Sequence, residues 1–370
     1  MKYSKTRQLK DIISELEKIA PPSYQESYDN AGLITGDDQW EAKGILICLD
    51  STEEIIDEAI ATGCNLVIAH HPIVFSGLKK INGKNFIERT IIKAIKNDIA
   101  IYAIHTNLDN VVKGVNKKIC DKLFLKNSKV LLTKQGLLKK LVTFCPTADI
   151  EKVRKALFDA GAGNIGNYSE CSFNVNGEGT FNGNSESNPY VGEKGKRHTE
   201  NEIRIEMIFE SIHEIRILSA LKASHPYEEV AYDIYKLDNF YQKAGSGMIG
   251  ELNNEKDEIE FLAFLKSVLM TPVVKHTALL HKKIKRVAVC GGAGFFLLKE
   301  AIKAGADIFV TSDIKYHQFF EADGKILLVD VGHYESEQFT SELLYETLKE
   351  IFPTFAIRLT KINTNPVNYL

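Results

Sequence analysis

Leu66-Val67-Ile68-Ala69-His70-His71-Pro72 joins a short apolar run to two adjacent imidazoles and a proline. A run of this length, bounded by such a break, predicts a buried strand that ends where His70 begins. Two imidazoles at a strand's C-terminal edge are placed to face a shared cleft. Outward from this stretch, apolar runs alternate with helical periods: strand 44–49, helix 52–62, strand 66–69, helix 88–97 and strand 99–104. Strand and helix in turn predict a largely parallel α/β sheet. Ser51, with Glu54 three residues on, fits a capping box for the first crossover helix. Ahead of the sheet, Leu9, Ile12, Ile13, Leu16, Ile19 and Ala20 recur with a helical period that stops at Pro21-Pro22. The polar lead Met1-Lys2-Tyr3-Ser4-Lys5 does not read as a signal peptide.

The same pattern returns late in the chain. Cys48…Glu58-Ala59-Ile60…Gly63 aligns without gaps against Cys290…Glu300-Ala301-Ile302…Gly305. In that register His70-His71 matches Ser312-Asp313, and with a small change of loop length His105…Asp109 matches His333…Glu337. The expected fold is therefore α/β, with duplicated β-α-β modules forming a discontinuous core domain from residues 1–130 and 246–370. Between them, over residues 131–245, lies an inserted α+β domain. It reads strand 141–145, helix 150–160, a Gly/Asn/Ser-rich stretch, strand 203–209, helix 212–223 and strand 230–237. One more strand in the Gly/Asn/Ser-rich stretch completes the ferredoxin-like β-α-β-β-α-β order. Residues 174–195 are expected to form a mobile hairpin or lid.

Composition narrows the function classes. A chain of 370 residues, 44% hydrophobic, can bury more than one core. Lys+Arg 46 against Asp+Glu 49, a net charge of −3, offers no basic stripe and disfavours nucleic-acid binding. Six cysteines without a C-x-x-C pair, several inside apolar runs, suit a reducing cytoplasm. No apolar run approaches the roughly 20 residues of a membrane span. No Walker motif or Asn-Lys-x-Asp base-reading set is present.

Three strand ends carry metal-binding side chains: His70-His71, His105…Asp109 and His333…Glu337. Imidazole nitrogen mixed with carboxylate oxygen fits a hydrolytic divalent centre better than a structural four-cysteine site. On a helix, His333 and Glu337 share a face. Strand neighbours point to opposite faces, so His70 and His71 converge only beyond the strand's end, or each ligates a different ion. Two adjacent ligands and two carboxylates favour a dinuclear site. Two other motifs have two readings each. His225-Pro226-Tyr227-Glu228-Glu229 either binds a ligand or caps a helix and turns the chain. Gly291-Gly292-Ala293-Gly294 either offers amides to a phosphate or only allows a tight turn.

Asp29-Asn30-x-Gly32, His70-His71-Pro72, His105-Thr106-Asn107-x-Asp109, Gly179-Thr180-Phe181, Thr311-Ser312-Asp313-x-x-Tyr316-His317 and Gly332-His333-x-x-x-Glu337 occur in this order along the chain. The set resembles the GTP cyclohydrolase 1 type 2 homologue family, also called Ngg1-interacting-factor-like, over almost the whole length. Ser312 stands where that pattern leads us to expect glycine. The resemblance implies two divalent ions per subunit (zinc, iron or manganese) on His70, His71, Asp109, His333 and Glu337, with one carboxylate bridging. It also implies a toroidal homohexamer, a trimer of dimers, and an insert similar to PII-like trimerising domains. The expected activity is metal-dependent hydrolysis of a nucleotide or related small metabolite. His105 and His317 are then candidates for proton shuttling or for a supporting hydrogen bond, and Asp313 for orienting an imidazole or a water. The alternative is a metal-binding module, a metallochaperone or regulator, whose insert senses a ligand.

Overall fold

The computed structural model describes residues 7–370, so the Met1–Lys5 lead lies outside the described residues. The chain forms two compact units, one built from the stretch up to Thr133 and from Gln242 onward, the other from Lys134–Tyr241. In the first unit α1 (Leu9–Ile19) buries Leu9, Ile12 and Leu16, the apolar stripe seen in the sequence, and stops before Pro21-Pro22. Then come β1 (Gly32–Thr35), β2 (Ile45–Cys48), α2 (Glu53–Thr62), β3 (Leu66–Ala69), α3 (Phe86–Lys96), β4 (Ala100–Ala103), α4 (Thr106–Asp109), α5 (Val115–Lys122) and β5 (Lys126–Lys134). Strands β2, β3 and β4 are parallel neighbours and buried along their whole length, which explains their unbroken apolar sequences. The cap of α2 differs from expectation by one residue. Thr52 Oγ1 accepts the Ile55 N–H at 3.4 Å, while Ser51 is buried with its hydroxyl unpartnered. Gly63, at φ +70°, ends that helix in the left-handed conformation.

The second unit runs β6 (Leu138–Pro146), α6 (Ile150–Asp159), β7 (Phe173–Asn182), β8 (Arg197–Glu210), α7 (Glu214–Ser224) and β9 (Tyr232–Leu237). Its sheet order is β7-β8-β6-β9, antiparallel throughout, which is the ferredoxin-like arrangement. Val153, Leu157, Ile217 and Leu221 of the helices pack with Leu141, Ile205, Met207 and Phe209 of the strands. The glycine-rich stretch supplies β7, most of it exposed, paired with β8 from Phe173 to Asn182.

Back in the first unit follow β10 (Tyr241–Asp257), α8 (Glu258–Val268), β11 (Lys275–His276), β12 (Lys283–Val289), α9 (Leu298–Lys303), β13 (Ile308–Thr311), a 3-10 segment (Tyr316–Ala322), β14 (Leu327–Asp330), α10 (His333–Glu337), α11 (Thr340–Ile351) and β15 (Ile357–Leu359). The duplication is visible in the sheets. One has the order β1-β4-β3-β2-β15 and the other β11-β14-β13-β12-β10-β5. In each, three parallel strands (β2-β3-β4 and β12-β13-β14) carry an antiparallel edge strand on the last of them, and β15 adds a fourth parallel strand beside β2. The copies diverge at the second crossover, an α-helix in one module and a 3-10 segment in the other. Alternate residues of the strands serve two cores. Ile45, Ile47, Leu66 and Ile68 share one apolar cluster with Val287, Val289, Ile308 and Val310, whereas Leu46, Cys48 and Val67 face α2 and α3. Sharing a core fixes the two modules against each other and brings their equivalent strand ends together. All six cysteines are unbridged and five are buried.

Candidate metal centre

His70 and His71 both lie just past the end of β3, where strand alternation no longer separates neighbours, and their rings are 4.9 Å apart. His70 is fully buried. Its Nδ1–H donates to the Ile104 carbonyl at 2.8 Å, which turns Nε2 toward Asp109 Oδ1 (3.7 Å) and Glu337 Oε1 (3.8 Å). Neither His70 Nε2 nor Asp109 Oδ1 has a hydrogen-bond partner, although both are buried. Buried polar atoms without partners are costly. A lone-pair nitrogen and two carboxylate oxygens at such separations suit an ion between them.

A second group stands beside the first. His71 Nε2 contacts Glu337 Oε2 at 2.9 Å and its Nδ1 contacts Asp50 at 2.7 Å. His333 Nε2 lies 3.0 Å from Glu337 Oε2 and its Nδ1 2.7 Å from Asp313. Three sets therefore place ligand atoms within 4.8 Å of one another: His70 with Asp109 and Glu337, His71 with His333 and Glu337, and His70 with His71 and His105. Glu337 belongs to two of them and is 3% exposed, so one carboxylate faces both histidine groups. His333 and Glu337 reach it from one face of the single turn α10, at i and i+4.

The electrostatics follow from this crowding. Burial and the negative Glu337 nearby push Asp109 up to about 8. Burial opposes ionisation of Glu337 as well, but hydrogen bonds from His333 and His71 and the adjacent His70 hold it well below the usual carboxylate range. The histidines move the other way. Against the cost of burial, Asp50 and Glu337 raise His71 to about 10, and Asp313 and Glu337 raise His333 to about 11.

His105 also has a carboxylate behind it. His105 Nδ1 contacts Asp29 at 2.7 Å, and Asp29 also accepts the Thr106 N–H at 3.0 Å. Asp50, which steadies His71, also accepts a hydrogen bond from Thr364 at 2.6 Å. Sequence reasoning missed Asp50 and the role of Asp29. Asp50 does have a signal, since it follows strand β2 at the position that His70 and His71 occupy after β3. Asp313 sits at φ +56°, an uncommon conformation for a residue with a side chain, and contacts His333. His317 lies elsewhere. It is exposed on the 3-10 segment, its ring stacked on Phe320 with centroids 6.5 Å apart, and it joins none of the three ligand sets.

A cavity of about 410 Å³ opens over the cluster. His71, His105, Asp109, His333 and Glu337 line its polar side, and Tyr28, Phe75 and Phe296 its apolar side. The glycine stretch at its edge is a turn and not a phosphate cradle. The amides of Gly291, Gly292 and Gly294 donate to Asn116, Ser336 and Thr311 at 2.9–3.0 Å. Gly292 is needed for a second reason: at φ +63° a Cβ there would stand 2.4 Å from Glu337 Oε1.

A duplicated α/β fold whose strand ends converge on histidines and carboxylates defines a class of candidate metal-binding proteins. The chain belongs to the Duf34/NIF3 (NGG1p interacting factor 3) family, whose model matches residues 7–366. It is 38% identical over 365 residues to a Halalkalibacterium halodurans protein named GTP cyclohydrolase 1 type 2 homolog, covering 97% of this chain and 98% of that one. A Bacillus subtilis protein of the same name is equally similar. Among solved structures, a Bacillus cereus protein related to NIF3 superposes with a TM-score of 0.86 at 38% identity, over 99% of this chain and all of the other. Among the described residues, no helix is long and apolar enough to cross a membrane.

Proposed function

We propose that this protein is a hydrolase that uses two divalent ions, zinc, iron or manganese, and acts on a nucleotide or related small metabolite. His70, Asp109 and Glu337 would hold one ion, and His71, His333 and Glu337 the other. The observation that carries this reading is the shared Glu337 carboxylate beneath a 410 Å³ cavity, with buried His70 Nε2 and Asp109 Oδ1 lacking any other partner. When bound, the two ions would lower the pKa of water toward neutrality and polarise the bond under attack. The chain's part is to hold the donors in place beforehand. The Ile104 carbonyl fixes the His70 ring, Asp50 that of His71 and Asp313 that of His333. His105, anchored through Nδ1 by Asp29, keeps Nε2 as the nitrogen that can move a proton in the cavity it lines. Tyr28, Phe75 and Phe296 supply apolar surface for a heterocycle.

The relatives' name makes GTP the first substrate to test. In protein loaded with manganese, iron, cobalt or zinc, a nucleotide panel should show turnover, and His105→Gln should lower kcat by about a hundredfold with metal content unchanged. No turnover with any loading, together with metal transfer to an acceptor, would replace the hydrolase by a metal carrier or regulator. The same reading includes a cytoplasmic homohexamer, a trimer of dimers, with a PII-like insert; light scattering on the purified chain tests the assembly.

A further inference from the structure

Two sequence motifs with no part in the metal centre, Gly179-Thr180-Phe181 on β7 and Tyr227-Glu228-Glu229 after α7, meet in the second unit around a cavity of about 440 Å³. That volume is in the range of small-molecule sites. Its aromatic wall is Phe181, Tyr190 and Tyr227, with both outer rings 6.2 Å from that of Tyr227. Its polar wall is Glu202, Glu228 and Glu229, and no lysine, arginine or histidine lines it. His225 serves this wall from behind. Its Nε2 donates to the Phe144 carbonyl at 2.8 Å and its Nδ1 accepts the Tyr227 N–H at 3.1 Å, so it turns the chain and fixes Tyr227. The Tyr227 hydroxyl donates to Glu202 at 2.8 Å, and Glu228 accepts the Asn188 N–H at 2.7 Å. None of the three carboxylates forms an ion pair among the described residues, and Glu229 has no hydrogen-bond partner there.

We infer that this cavity binds a small organic cation, an alkylammonium or guanidinium group, over the Tyr227 and Phe181 rings and against Glu229 and Glu202. Ring faces attract cations electrostatically. Three carboxylates without an ion-pair partner among the described residues disfavour anions, and Glu229, which has no hydrogen-bond partner there either, is left to meet a cation. A divalent ion fits less well, because the three side chains do not bring their oxygens together as the metal centre does.

Calorimetric titration of the full chain with choline and with agmatine tests the inference, alongside the neutral tert-butyl analogue of choline, Mn²⁺ and inorganic phosphate. At least one cation should saturate at one per chain while the neutral analogue does not bind. Tyr227→Ala should weaken it about fivefold to thirtyfold, the range for a cation leaving an aromatic face. Glu229→Gln should weaken it about fivefold. Glu229 is exposed and holds nothing in place, so its variant reports binding even if Tyr227→Ala fails to fold. Three results would each overturn the inference: equal binding of the neutral analogue, Glu229-dependent binding of Mn²⁺ or phosphate, or no cation saturating below about 10 mM.

Discussion

Gly292→Ala adds one methyl group at the candidate metal centre, and the structure sets the size of its effect by comparison with Gly63→Ala. Both glycines have left-handed backbones, φ +63° and +70°. An alanine in that conformation costs about 1–2 kcal/mol at either place. At Gly63 nothing lies within 4 Å of the added Cβ, so backbone strain is the whole penalty. At Gly292 the Cβ would sit 2.4 Å from Glu337 Oε1, so the carboxylate must shift while its other oxygen, Oε2, is held by His71 and His333. A hydrogen bond to a charged group contributes about 1.5–3 kcal/mol, so a shift that breaks one of the two adds roughly that much to the strain. Urea unfolding of the metal-free proteins should show Gly292→Ala losing about twice what Gly63→Ala loses. Elemental analysis should show it holding less metal. Equal losses of stability with equal metal content would refute the argument that this turn must be glycine to seat Glu337.

Asp50→Ala leaves His71 without its carboxylate anchor and should weaken metal binding by about tenfold to a hundredfold in chelator competition, with Thr364→Val weakening it less. Asp29 gives an acid-range test. Against the opposing effect of burial, hydrogen bonds with His105 and Thr106 hold it at about 2 instead of 3.8. A depressed carboxylate stabilises the fold above pH 3.8 and loses that contribution as pH falls toward 2, so the stability gap between wild type and Asp29→Asn should be about 2 kcal/mol at pH 5 and shrink below pH 3.8. A gap unchanged with pH would rule out the charged hydrogen bond as its source. His317→Ala should keep the full metal content, since the ring packs on Phe320 away from the cluster; metal loss in that variant would contradict the placement.

The parallel strands were legible because burial on both faces requires unbroken runs such as Leu66-Val67-Ile68-Ala69, and the duplication because its register needed no gap. The convergence of His70, His71, Asp109, His333 and Glu337 could be read from their common place at strand ends. Asp29 could not, because it meets His105 across 76 positions of chain and no local pattern encodes that contact. His317 stands apart from the three ligand sets. The backbone leaves β13 with Asp313 at φ +56° and continues as a 3-10 segment, on which the His317 ring stacks against Phe320. The α2 cap illustrates a finer limit: Ser51 and Thr52 are chemically alike, and the sequence does not distinguish which hydroxyl reaches the Ile55 amide.

The contact between His71 and Glu337 spans 266 positions. On a ribosome adding about 5–20 residues per second, roughly 13 to 53 s separate the synthesis of these two residues. Throughout that interval His70, His71, His105 and Asp109 exist without the carboxylate that both ligand groups share. On the function proposed above, metal would be acquired late in the life of each chain, once its last strands and helices are made, and a chain truncated before Glu337 would lack the carboxylate that both ligand groups share.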